Sequence, residues 1–164
     1  MPLRTDSYYR SLAEAALKRA GVEEPPVPIE DMARGYGIPV RDVVMPAFFG
    51  GATINEDGLP VILVNAAKDE YTRRKILAHM VGHMVIVLAD SSSSYPRNTN
   101  EEHLDAAIVA DELITPAYLV MDQAQKWFND YRYLARLFGV TEEEMMKKMF
   151  DMGIIQQRGI RWEY

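Results

Sequence analysis

The chain carries three histidines, His79, His83 and His103, and the first two stand four residues apart. On a helix that spacing puts both rings on one face, one turn apart. It is also the spacing at which two imidazoles can share one tetrahedral zinc ion. The competing reading is a pair of core histidines, each satisfied by a carboxylate or a backbone carbonyl. The neighbours make either partner necessary. Ile76, Leu77, Ala78, Met80, Val81, Met84 and Val85 surround the pair, and a polar ring left unpaired among them would cost about 1–3 kcal/mol.

The residue after His79 limits the chemistry. In H-E-x-x-H metallopeptidases a glutamate stands there, taking a proton from metal-bound water and delivering it to the leaving amine. Here the position is Met80. A thioether neither accepts nor donates that proton near neutral pH, and methionine is a good filler of apolar space. The pattern therefore keeps the spacing for a metal and discards the ordinary base.

A third ligand must come from another element. The next predicted helix offers Glu101, Glu102, His103 and Asp105 ahead of an apolar stripe of Ala106, Val109, Ala110 and Leu113. Asp105 and His103 fall on opposite edges of that stripe. Glu102 lies nearer its centre, but it also completes a capping box with Thr99. The acids are equally at home as solvated first-turn residues favoured by the helix dipole. Periodicity alone leaves the choice open.

The elements that must position these residues are legible in outline. Leu12, Ala13, Ala16, Leu17 and Ala20 recur at helical spacing over residues 7–20, with Gly21 as a stop. Glu23 to Pro28 form a stiff proline linker, and a short helix follows through Ile29, Met32 and Ala33. Residues 38–44, 48–54 and 60–65 read as strands. Gly50-Gly51 suggests a bulge or bend, and Asn55-Glu56-Asp57-Gly58 is strong turn chemistry. Three strands with short connections predict an antiparallel meander. Beyond residue 69 the pattern is helical: a long apolar helix to about residue 88, helices over 99–113 and from 117, then two short ones over 131–138 and 141–152. An extended stretch is expected at 156–164. The fold class is α+β, mostly helical, with a small three-stranded antiparallel sheet packed on the H-x-x-x-H helix.

Composition bounds the function. A chain of 164 residues is one ordinary domain with room for a small appendage. A net charge of -6 argues against a nucleic-acid binder, and the densest basic run is only Arg73-Arg74-Lys75. Without cysteine there is neither a disulfide framework nor a thiolate metal site. The first residues lack the apolar core of a signal peptide, and the apolar run over 84–89 is too short to span a bilayer. The expected location is cytoplasmic.

Several segments together resemble the ImmA/IrrE family of zinc metallopeptidases. The family's strand ending in a Val-Asn-like pair, its basic turn and its Leu-Ala-His-Glu-x-Gly-His helix are matched by three segments. These are Ile62-Leu63-Val64-Asn65, Arg73-Arg74-Lys75, and Ile76-Leu77-Ala78-His79-Met80-Val81-Gly82-His83. Upstream, Pro25-Pro26-Val27-Pro28 and Gly37-Ile38-Pro39-Val40 are similar to its linker and first strand. Downstream, the stretch from Asp105 to Pro116 and that from Leu134 to Thr141 are similar to its ligand helix and C-terminal helical module.

The resemblance implies a zincin-like core over residues 1–120 and a small helical module over 121–164. It implies zinc, held by His79, His83 and Asp105, with Glu102 and His103 as alternatives for the third place. It puts Met80 at the general-base position. Family members cut helix-turn-helix repressors. The expected function is therefore a metallopeptidase-like protein, catalytically impaired, that acts on or binds a transcriptional regulator. The alternative is an active zinc endopeptidase using Glu102 or Glu112 as a substitute base. Direct DNA binding through the helices after Tyr131 is the weakest reading, because Glu142-Glu143-Glu144 opens the last of them.

Overall fold

A computed structural model describes residues 5–89 and 99–156. The elements run α1 (Asp6–Arg19), α2 (Ile29–Gly35), β1 (Val40–Val43), β2 (Gly51–Glu56), β3 (Leu59–Asn65), α3 (Glu70–Ala89), α4 (Asn100–Ile114), α5 (Ala117–Lys126), α6 (Tyr131–Phe138) and α7 (Glu142–Asp151). This is the expected α+β, mostly helical architecture. The loop serines at 91–94, the first four residues and the expected extended stretch beyond Gln156 lie outside the described residues.

Capping explains where helices start. The Thr5, Thr99 and Thr141 side chains accept from the backbone N–H groups of Tyr8, Glu102 and Glu144. Each satisfies one of the orphan donors at a helix N-terminus. The β2–β3 turn is of the expected kind. Asp57 and Gly58 both have positive φ, 54° and 84°, and the Asn55 side chain accepts from Gly58 N–H at 2.8 Å. That backbone matches the twist of a tight hairpin.

The sheet corrects one expectation. Its order is β1-β3-β2, with β1 parallel to β3 and β2 antiparallel to it, so it is mixed and not the antiparallel meander. The strand directions do alternate along the chain as a meander requires. What differs is that β3 inserts between the other two. The reason lies in composition: Val61-Ile62-Leu63-Val64 is apolar on both faces and takes the centre, while β1 and β2 carry Arg41, Asp42, Thr53, Asn55 and Glu56 and take the edges.

Residues 44–50 cross from one edge to the other, over the end of β3, and a single side chain holds that crossing. Asn65, fully buried, donates through Nδ2 to the carbonyls of Met45, Pro46 and Phe49 and accepts at Oδ1 from the N–H groups of Met45 and Ala67. Lys68 adds a bond to the Ala47 carbonyl at 2.6 Å. The pinned loop displays Val44 and Phe48, 80% and 82% exposed, to solvent.

The core lies between α1, α3 and α4, with β3 and α2 closing one side and α5 to α7 another. Helices α3 and α4 touch at Gly82, where a Cβ would fall 2.7 Å from the Ala106 carbonyl oxygen. Gly50 and Gly51 are not a bulge. They are small because β2 starts against α3, and a Cβ on Gly51 would lie 2.4 Å from the Leu63 carbonyl and 2.8 Å from the Met80 methyl. Across the other side of α3 and α4 lies α7. Its Glu144 pairs with Lys75 and Tyr71 of α3, and its Lys148 pairs with Glu112 of α4.

Candidate metal centre

Helix α3 presents Ile76, His79, Met80 and His83 along one side, and the start of β2 covers part of it through contacts of Gly50 and Gly51 with Ile76 and Met80. The close contact at Gly82 brings the first turn of α4 beside the last half of α3. His103 thereby joins the pair. His83 Nε2 lies 3.2 Å from His79 Nε2 and 3.2 Å from His103 Nδ1, and the latter two are 3.3 Å apart.

These three nitrogens form a nearly equilateral triangle, and its size is informative. A tetrahedral ion with bonds of about 2.0–2.1 Å to imidazole nitrogens holds them about 3.3–3.4 Å apart. The side chains thus fit a metal with one coordination position left over. They are also the group of three metal-binding side chains that the described residues bring together.

Electrostatics favours the ligand-competent form. Burial, then repulsion from the rings of His83 and His103, pushes His79 below the ordinary histidine value. Burial and His103 likewise lower His83, against the opposing pull of the Glu102 carboxylate. Both rings are therefore held neutral, as metal binding requires.

A pH dependence follows for the metal-free protein. As pH falls, the unfolded chain takes up these protons before the native one does. The contribution of the two rings to stability is complete above the ordinary value of about 6.5 and is lost as pH falls from there toward the depressed native values. Urea titrations near pH 7.5 and near pH 5.5 should show a lower midpoint at the acid value, and the drop should shrink when His79 and His83 are both replaced by glutamine.

The remaining expected residues fall as follows. Asp105 does not join the triangle. It turns toward α1, where Tyr9 donates its hydroxyl proton to Oδ2 at 2.8 Å. Glu102 places Oε1 3.3 Å from His83 Nδ1, the nitrogen on the far side of that ring. Glu112 is buried with both oxygens engaged, one accepting from Ala117 N–H at 2.7 Å and the other paired with Lys148. Met80 packs its methyl group over Gly51. Asn65 was given no role by the sequence, although its place at the end of an apolar strand marked it.

The IrrE N-terminal-like domain family (Peptidase_M78) matches residues 37–150, a stretch that includes the sheet and all three histidines. The chain belongs to this family. No curated protein matches the sequence. Among solved structures, a Mycobacterium tuberculosis transcriptional regulator shares the fold with a TM-score of 0.61 at 20% identity, over 94% of this chain and 51% of that one. The chain thus spans about half the length of that regulator. Among the described residues, no helix is long and apolar enough to cross a membrane.

Proposed function

We propose that this family member holds zinc through His79, His83 and His103 and works as a metallopeptidase-like binding protein, recognising a polypeptide without cutting it efficiently. The observation that carries the reading is the contrast at one site: three imidazoles converge at metal-binding distances while the next residue, Met80, is a packing residue. Zinc, when bound, would polarise a carbonyl and acidify a water. Among the described residues, neither carboxylate that could substitute is placed to move the proton from that water to an amine. Of the two substitutes, Glu112 is tied to Lys148 and Ala117, and Glu102 lies behind His83.

The expected ligand is an extended segment of a helix-turn-helix transcriptional regulator, held by strand addition. Edge strand β2 supports this. It pairs on one side only among the described residues, is exposed over most of its length and starts beside Met80. The pinned aromatic loop of Phe48 and Phe49, with ring centroids 4.5 Å apart, leads directly into that strand. The resemblance to the ImmA/IrrE peptidases, whose members cut such regulators, supports the same reading.

The test incubates the protein, with zinc and with a chelator, with candidate helix-turn-helix regulators, and measures binding and cleavage separately. Binding with little or no cleavage is expected. Efficient zinc-dependent cleavage by the unaltered chain would establish a working peptidase instead.

A further inference from the structure

The geometry points to Glu102 as the positioning residue of the metal centre, a carboxylate that fixes the proton and the orientation of His83. This rests on the zinc-binding reading above. It begins with His83 itself. Nε2 of that ring faces His79 and His103, so Nε2 is the atom that would hold the ion. A neutral imidazole has a single N–H. For Nε2 to offer its lone pair, that hydrogen must sit on Nδ1.

Nδ1 is completely buried and makes no well-aligned hydrogen bond. A buried N–H of this kind needs an acceptor. Glu102 Oε1 stands 3.3 Å from it, on a side chain only 19% exposed, and the His83 side chain is 10% exposed. The distance is that of an ion pair off the hydrogen-bond axis. A small rotation of either group aligns it, as when the ring is drawn onto an ion.

The backbone supports this role. Thr99 Oγ1 accepts from Glu102 N–H at 3.2 Å, which fixes the first turn of α4. From that one turn, His103 reaches the front of the triangle and Glu102 reaches the rear of His83. Ligand and orienting carboxylate are thus consecutive residues on one rigid segment. Charge argues in the same direction. Three imidazoles leave the charge of a divalent ion uncompensated, and Glu102 supplies a negative charge one ring away. Carboxylate–histidine–metal arrangements raise ligand basicity in this way. The assignment also explains why Glu102 is unavailable as a base: it acts on the nitrogen that faces away from the ion.

The experiment measures zinc affinity by competition with a chromophoric chelator and the His83 tautomer by nitrogen chemical shifts. It uses the full chain and the variants Glu102→Ala, Glu102→Gln and, as a control, Glu101→Ala at the exposed neighbouring position. Glu102→Ala should weaken zinc about 10–100-fold and lose the Nδ1–H tautomer preference of His83. Glu102→Gln, which keeps an acceptor oxygen, should retain the tautomer and lose less affinity. Glu101→Ala should match the unaltered chain. Should Glu102→Ala fold poorly, Glu102→Met, which keeps the bulk of the side chain and removes its acceptor oxygens, should show the same losses. Unchanged affinity and tautomer in the folded variant that lacks the acceptor would overturn the assignment. Failure of the unaltered chain to bind zinc would overturn the zinc reading itself and is seen before any variant is made.

Discussion

Replacing His103 by alanine should lower zinc affinity by more than the roughly 10–100-fold that losing an outer-shell partner costs, while Asp105→Asn should leave it unchanged. The two side chains lie two residues apart on α4 and face different helices. His103 Nδ1 completes the triangle with His79 and His83 at 3.2–3.3 Å. Asp105 is held by Tyr9 of α1. A ligand lost from a three-nitrogen site leaves two, and two neutral imidazoles on one helix bind a divalent ion weakly against water. The asparagine keeps an acceptor for the Tyr9 hydroxyl, so its fold should survive. Isothermal titration or chelator competition with zinc separates the cases. Cobalt can replace zinc as a spectroscopic probe, its visible bands reporting the loss of a nitrogen ligand in the His103 variant. The opposite pattern, loss with Asp105→Asn and none with His103→Ala, would mean that α4 turns when metal binds and that the carboxylate is the ligand.

Met80→Glu should bind zinc at least as well as the unaltered chain and should gain hydrolysis of a bound regulator. Met80 follows His79 on the same helix turn, and its methyl group reaches the start of β2. A glutamate there puts a carboxylate between the metal-binding nitrogens and the strand edge where a peptide would lie. General acid–base help of this kind is typically worth about 10²–10⁴-fold in rate. The substitution exchanges a half-buried thioether for a charge, and its cost in stability can be followed by thermal unfolding. The informative comparison sets both proteins against the same regulator with and without zinc. A gain of cleavage confined to the zinc-loaded variant shows that the groove is intact and only the base was missing. Equal, zinc-dependent cleavage by both would place the base elsewhere. Binding by both with cleavage by neither would show a recognition surface that has departed from peptidase geometry.

The misread strand pairing and the open choice among Asp105, Glu102 and His103 share one cause. Local pattern fixed the elements, but neither their order in space nor which edge of a helix meets which neighbour. The strands were found because Val61 to Val64 are apolar, the turn carries Asn55 and Gly58, and each segment has strand chemistry. Their pairing was not legible, because alternating directions are the same whether β2 or β3 lies next to β1. His79 and His83 were legible because a spacing of four on a helix is a fixed geometry. The third group was not, because the apolar stripe of α4 has two edges. His103 lies on the edge facing α3 and Asp105 on the edge facing α1. The signal that could have separated them is Gly82. A glycine in the middle of an apolar helix, one position before His83, marks where a neighbouring helix comes closest. Asn65 was unreadable in role for a related reason. Its partners at Met45, Pro46 and Phe49 lie in a loop whose path exists only once the strands are ordered.

The strand order also governs the sequence of events during synthesis. Both β1 and β2 pair only with β3 among the described residues, and β3 is the last of the three to leave the ribosome. Two edges must wait for a template still being translated. A waiting strand is an aggregation hazard when it is long, flat and apolar. Here the first waiting segment is four residues and carries Arg41 and Asp42, and the second carries Thr53, Asn55 and Glu56. The strongly apolar segment is the one that arrives last, when both partners are already at hand. The tight turn at Asp57-Gly58 joins β3 to β2, and Asn65, the final residue of β3, holds the crossing loop over the completed sheet.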